Sequence, residues 1–526
     1  MKTNTQANHH TTNAINTVVV VGGGIAGWLT AGRIAAKHKA ADNKNINVVL
    51  IESPTVPAIG VGEGTWPTMR STLIALGISE TDFIRECDAS FKQGAKFAKW
   101  VDGTENDFYY HPLVLPQGFG KDDLAAYWHT LNRADKSSFS NDVCFQEAIC
   151  EQHLAPKTIR TPEFSAVANY AYHLDSGKFA VFLQKHCCDK LGVQHIVDDV
   201  IAVNSKENND IASLSTQQHG ALHGDLFVDC TGFTSLLLGQ HFQVPFKPCD
   251  DVLFIDTALA VQVPYENENT AIASHTISTG QEAGWIWDIG LQHRRGVGYV
   301  YASKYSSEQQ AREVLAQYIG QPLDSHNVRK IPIKSGHRTK FWQNNCVAVG
   351  LSAGFLEPLE ASALVLVELS AEMISEQLPV TREVMDVVAK RFNETFLYRW
   401  DRIIDFLKLH YILSKRTDNA FWTDNRHPDT IPESLQDLMR LWQHRSPADY
   451  DFTSNNEVFP AASYQYVLYG MGFKSDYRHL QHQLNNPAFA TEQFAKNKHM
   501  INQATSSLPT NRELLNKIRQ YGLATI

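Results

Sequence analysis

The chain of 526 residues lacks the marks of nucleic-acid-binding, membrane and disulfide-stapled proteins. It has no basic excess: 47 lysines and arginines stand against 56 aspartates and glutamates, a formal net charge of −9. That balance excludes general binding to phosphate backbones, which needs a basic face. It also repels acidic membrane surfaces. Cysteine is scarce, with eight in all, and no two form a C-x-x-C pair or a zinc-like Cys/His spacing. A metal centre and a disulfide framework are therefore not expected. The adjacent Cys187 and Cys188 read as core or half-buried thiols, and the usage suits a reducing cytoplasm. Met1 to Asn16 has no apolar segment with a small-residue cleavage site, so no signal peptide is expected. Residues before about Ile15 are expected to be disordered. The run Val18–Val21 is far too short to cross a bilayer. There is no internal repeat and no low-complexity tract. A composition of 43% hydrophobic and 20% charged residues reads as soluble and globular.

What is present begins at Thr17–Val21, a β-branched run suited to a strand buried on both faces. Gly22-Gly23-Gly24-Ile25-Ala26-Gly27 follows, then a helix pattern from Trp28 toward Lys37, a polar loop, and a second strand at Asn47–Ile51 that ends in Glu52. This is a βαβ opening and predicts a parallel sheet. Gly22, Gly24 and Gly27 have G-x-G-x-x-G spacing. The first glycine permits the tight turn, the second lets backbone approach a pyrophosphate, and the third lets helix pack on sheet. The helix N-terminus then offers free N–H groups to phosphate, and Ile25 and Ala26 of the loop join the glycines as candidate cofactor-binding residues. Glu52 is a candidate for the ribose hydroxyls, although it lies about thirty residues after Gly22, against about twenty in the usual spacing. The polar loop Lys37–Asn45 accounts for the excess. Residues alone leave NAD(P) and FAD open.

Further along, Ala58–Thr65 is a second glycine-rich loop containing Gly60, Val61, Gly62 and Glu63. Helices are predicted over Pro67–Leu76 and Glu80–Trp100, the latter capped by Ser79. Val252–Ser303 reads as strands. Within it, Gly284-Trp285-Ile286-Trp287-Asp288-Ile289 places both indoles on one face. Asn345–Gly350 is another buried strand, running into Leu351. Leu359 to about Glu376 reads as a helix, Val384–Leu413 as one long helix or a helix with a break, and the last hundred residues as mostly helical.

Together these segments resemble the flavin-dependent tryptophan halogenases. Gly22–Trp28 matches the G-x-G-x-x-G-W start of that family, and Gly60–Glu63 its G-V-G-E loop. Gly284–Ile289 matches G-W-x-W-x-I-P, with Gly290 in place of the proline. Phe355–Glu360 matches F-L-E-P-L-E, and His410-Tyr411, Arg416 and Phe421-Trp422 follow its later pattern. The resemblance implies an α/β fold: an FAD-binding Rossmann-like module with an added mixed β-sheet and a helical C-terminal region. The implied division is 1–16, 17–410 and 411–526, with the last part closing the substrate side. The implied activity uses FAD, supplied as FADH2 by a separate reductase, together with O2 and chloride or bromide. In this family halide becomes hypohalous acid, which travels along a tunnel to a lysine beside an electron-rich aromatic.

The resemblance assigns that lysine to Lys92, in a helix beside Phe91. From residues alone Lys92 reads as a surface lysine, since Lys96 and Lys99 look similar, and the motif match reverses that reading. It assigns the partner carboxylate to Glu360, which alternatively stabilises the helix start after Pro358. It places halide on amides near Ser362 and Ala363, where the family usually has threonine and glycine. Trp285, Trp287 and Phe355 would line the passage. His111 matches a histidine near the indole pocket, while Leu113 stands where a ring is expected. Phe459 and Tyr464 lie in the nearest counterpart of a substrate lid, which is shorter here. The expected substrate is therefore an indole-type aromatic, whether free, peptide-borne or carrier-borne. A homodimer is compatible with this reading. An aromatic monooxygenase and a non-catalytic flavin protein stand as the other two readings.

Overall fold

A computed structural model describes residues 14–39, 46–55, 62–131, 133–454 and 457–525. The segment before Ile15 and the pair Gly60 and Val61 lie largely or wholly outside the described residues.

The first strand, β1 (Thr17–Val21), sits inside a six-stranded sheet. It leads through the glycine loop into α1 (Ile25–Lys37) and on to β2 (Asn47–Glu52). Strand β1 pairs in parallel with β2 on one side and with Leu226–Asp229 on the other. Gln194–Val197 and Cys346–Ala348 extend the parallel ladder, and Trp342–Gln343 adds an antiparallel edge. Val18, Val19 and Val20 are fully buried, as a parallel sheet covered on both faces requires.

A small sheet carries β3 (Gly62–Gly64) and β4 (Ser90–Lys92) on either side of Ala171–Asp175. The predicted helix Glu80–Trp100 is corrected here. It ends at Glu86, and Asp88 then turns with φ 52°. The chain continues as β4, β5 (Gly94–Ala98) and β6 (Phe108–Pro112). Phe91 lies opposite Tyr172, so the strand state is fixed by a partner from far along the chain.

Strands β5 and β6 belong to a seven-stranded mixed sheet whose centre is Gly284–Gly290. Trp287 lies opposite Gly298, where a Cβ would come within 2.0 Å of the indole. Glycine at 298 thus leaves the ring its place. Helices dominate from Arg382 onward. Arg382–Ile412 is one unbroken helix, and Ala461–Gly470, Pro487–Ser507 and Asn511–Tyr521 follow. All eight cysteines are free thiols. Among the described residues no helix is long and apolar enough to cross a membrane. Nor does any cluster of His, Cys, Asp or Glu there suit a metal ion.

Candidate active site

A cavity of about 740 Å3 begins at the glycine loop. Gly22 has φ 116°, and a Cβ there would meet the Cys230 carbonyl oxygen at 2.3 Å. A Cβ on Gly27 would meet the Gly22 carbonyl oxygen at 1.9 Å. These are the turn and the close packing that the spacing predicts. Gly24 differs, for a Cβ there would meet nothing within 4 Å. It caps α1 with no side-chain hydrogen bond, so the first amides of that helix lie open to a phosphate. Glu52 lines the same cavity and is held by His195, whose Nε2 lies 2.6 Å from Oε1. The donor set fits a dinucleotide.

The lining continues past Gly62 and Glu63 to Lys92, Trp285 and Trp287, and past Gly350, Leu351 and Phe355 to Glu360, Ser362 and Ala363. Burial pushes the Glu63 carboxyl up to about 7. Trp285, Trp287 and Ile289 all face this space, as strand alternation requires.

Lys92 is in a strand, not the expected helix, and is 3% exposed. Its Nζ donates to the Thr65 carbonyl oxygen at 3.1 Å and lies 5.9 Å from the Trp66 ring centre. Burial lowers its pKa to about 8, with the Glu360 charge opposing. The two similar lysines are placed differently. Lys96 pairs with Glu151 at 2.6 Å and Lys99 with Glu105 at 2.6 Å.

Glu360 is 7% exposed and stands before, not inside, the helix Ser362–Glu376. Both Glu360 (φ 65°) and Ala361 (φ 54°) are left-handed, a conformation that costs energy for non-glycine residues. The turn aims the carboxylate away from the helix and toward His111, whose Nδ1 lies 2.8 Å from Oε1. His410 Nε2 is 3.4 Å from the same oxygen. Burial opposes ionisation, but His111 and His410 outweigh it and hold this carboxyl well below the usual range. Glycine at 64 lets the two halves of the site meet. A Cβ there would lie 3.3 Å from Ala361 Cβ and 3.4 Å from Lys92 Nζ.

Ser362 and Ala363 begin a helix whose N-cap, Ala361, has no capping side chain. Their amides are therefore free donors facing the cavity. His111 stands behind Glu360, with Nε2 2.9 Å from Ser463 Oγ. Phe459 packs on Phe406 with ring centres 3.9 Å apart and edges onto Trp66 at 5.0 Å. His111 and Phe459 do not line this cavity, and neither does Tyr464. Its ring is buried among Phe406, Trp442 and Phe452. The partners Thr65, Trp66, His195 and Ser463 were not singled out as site residues by the sequence, because each is brought in by long-range packing.

A family model described as tryptophan halogenase matches residues 17–486. The chain is 31% identical over 523 residues to the 7-chloro-L-tryptophan 6-halogenase KtzR of Kutzneria sp. (strain 744), covering 95% of this chain and 99% of that one. A solved tryptophan halogenase from Shewanella frigidimarina superimposes with a TM-score of 0.94 at 47% identity, covering 98% of this chain and 99% of that one. BrvH, a flavin-dependent halogenase from Brevundimonas sp. BAL3, gives a TM-score of 0.84 at 31% identity, over 96% and 99% of the two chains.

Proposed function

Since the chain belongs to the tryptophan halogenase family, we propose that Lys92 and Glu360 deliver halogen to an indole-bearing substrate. The protein is a flavin-dependent halogenase. The observation that supports these roles is that a buried amine and a buried carboxylate line one cavity with the glycine loop.

Gly22, Gly24, Ile25, Ala26 and Gly27 would hold the pyrophosphate of FAD, and Glu52, steadied by His195, would take a ribose hydroxyl. Glu63, Gly350, Leu351 and Phe355, which line the same cavity, would hold the flavin ring. FADH2, delivered by a separate reductase, supplies with O2 the oxidising equivalents that convert halide to hypohalous acid. The amides of Ser362 and Ala363 hold the halide, because unpaired N–H groups at a helix start attract anions. Trp285 and Trp287 wall the passage and exclude water.

The neutral Lys92 amine takes the halogen from hypohalous acid, forming an N–halogen bond as the O–halogen bond breaks and water leaves. A pKa of about 8 leaves roughly a tenth of its amine neutral at pH 7, far more than for an exposed lysine. The indole carbon attacks the halogen as the N–halogen bond breaks and the amine takes up a proton, and the arenium cation then gives its ring proton to Glu360. Such a cation is a much stronger acid than any carboxylic acid, so a weakly basic carboxylate suffices. His111, 2.8 Å away, holds that carboxylate in position. Leu113 in place of a ring and the shorter segment around Phe459 favour an indole-type substrate, either free or part of a larger molecule.

The test supplies FAD, a flavin reductase, NADH, O2 and bromide, with indole and L-tryptophan as separate substrates. Mass spectrometry should find brominated product from one or both, dependent on bromide. Hydroxylated product formed without halide would contradict the proposal, as would full halogenation by Lys92→Ala.

A further inference from the structure

A second cavity of about 740 Å3 opens between the last helix, Asn511–Tyr521, and the turn after the strand Thr257–Pro264. It shares no lining residue with the flavin cavity. Arg512 lines it and is only 8% exposed. Its Nε donates to the Thr270 carbonyl oxygen at 2.9 Å and its Nη1 to that of Gln292 at 2.6 Å. Its Nη2 has no hydrogen-bond partner, and neither has the buried hydroxyl of Tyr265, which also lines the cavity. A buried donor left without an acceptor is unfavourable, so an acceptor supplied from the cleft is favoured there.

The environment of Tyr265 is tied to a departure already noted in the sequence. A Cβ on residue 290 would lie 3.0 Å from the Tyr265 hydroxyl and 2.8 Å from Ile272. Glycine, where the resembling family has proline, leaves that hydroxyl its position. At the exposed edge, Arg519 Nη1 lies 3.2 Å from His293 Nε2. Glu268, also at the edge, is the one acidic residue of the lining. The donors are thus two guanidinium groups, one of them buried, and a phenol. Arg keeps its charge in proteins and offers a fork that fits carboxylate or phosphate oxygens. The volume is in the range of small-molecule sites.

We propose that this cleft binds a small organic anion through a carboxylate or phosphate group, with Arg512 as buried anchor and Arg519 at the rim. The same helix clasps the strand that bears Lys92, since Asn511 Nδ2 donates to the Phe91 carbonyl oxygen at 3.3 Å. The ligand site therefore borders the support of the catalytic strand without entering the flavin cavity.

The test is calorimetric titration of the full chain saturated with FAD, which fills the pyrophosphate site. Inorganic phosphate and acetate serve as separate probes at fixed ionic strength. Saturable binding of one probe is expected: phosphate marks a phosphate-bearing ligand and acetate a carboxylate. Arg519→Gln should weaken it roughly tenfold, and Glu268→Gln should strengthen it a few-fold by removing like charge. Arg512→Lys keeps the charge but loses the fork, and should also weaken binding. Absence of saturable binding by either probe overturns the proposal. So does binding that is indifferent to both arginine substitutions.

Discussion

Two buried lysines in this molecule have opposite surroundings. Lys157 is fully buried and meets Glu80 at 2.6 Å, the Tyr170 hydroxyl at 3.1 Å and the Pro162 carbonyl oxygen at 3.3 Å. Glu80 is further bonded by Tyr170 and Tyr172. Every charge there has a partner, so the cluster ties α-helical and strand segments together and has no vacant side. Lys92 has almost the same burial but one carbonyl bond, and it faces a cavity. Its carboxylate counterpart, Glu360, is bonded to histidine. A buried charge that is fully satisfied holds a fold together. One that is left short of partners beside open space is available for chemistry.

Alanine at each lysine tests this contrast most strongly. Lys92→Ala should lose halogenation by about 10³-fold, while unfolding midpoints and FAD affinity stay close to the parent. Lys157→Ala leaves Glu80 buried without its cation and should cost about 3–5 kcal/mol of stability, read by urea unfolding. Equal stability losses in the two variants would erase the distinction. The carboxylates should divide in the same way, with smaller effects. Glu360→Gln should lower the halogenation rate by about 10²-fold with little change in stability. Glu80→Gln should destabilise by about 3 kcal/mol and leave the residual folded enzyme active.

A pH series sharpens the comparison. Because burial lowers Lys92 to about 8, neutral amine accumulates as pH rises. Single-turnover halogenation should therefore climb roughly tenfold between pH 7 and 9 and then level. A flat profile, or a fall over that interval, would argue against the neutral amine. Smallest is Gly64→Ala. The added carbon would press on Lys92 Nζ and Ala361 at 3.3–3.4 Å, and a few-fold drop in rate is expected from slight misplacement. FAD binding, followed by flavin fluorescence, should not change.

The same contrast explains what could be read from the chain. The βαβ opening was legible because all its signals are local: a valine run, three spaced glycines and a terminal Glu52. The tryptophan strand was legible for the same reason, through alternation. The strand state of Lys92 was not. Helix-like spacing continues past Glu86, and only the turn at Asp88 and pairing with Tyr172 convert the segment to a strand. Strand preference depends on such neighbours more than on the residues themselves. The left-handed turn at Glu360 and Ala361 was hidden as well, since neither residue type favours it. Phe459 and Tyr464 were placed together in the counterpart of a substrate lid, yet neither lines the flavin cavity, and Tyr464 is packed among three rings.

Anomalous diffraction from FAD-loaded crystals soaked in bromide tests the central claim most directly. The account predicts a bromide peak beside the Ser362 and Ala363 amides, in a continuous cavity that also contains Lys92 Nζ and the Glu360 carboxylate. A peak elsewhere, with protein filling the space between the flavin and Lys92, would contradict it.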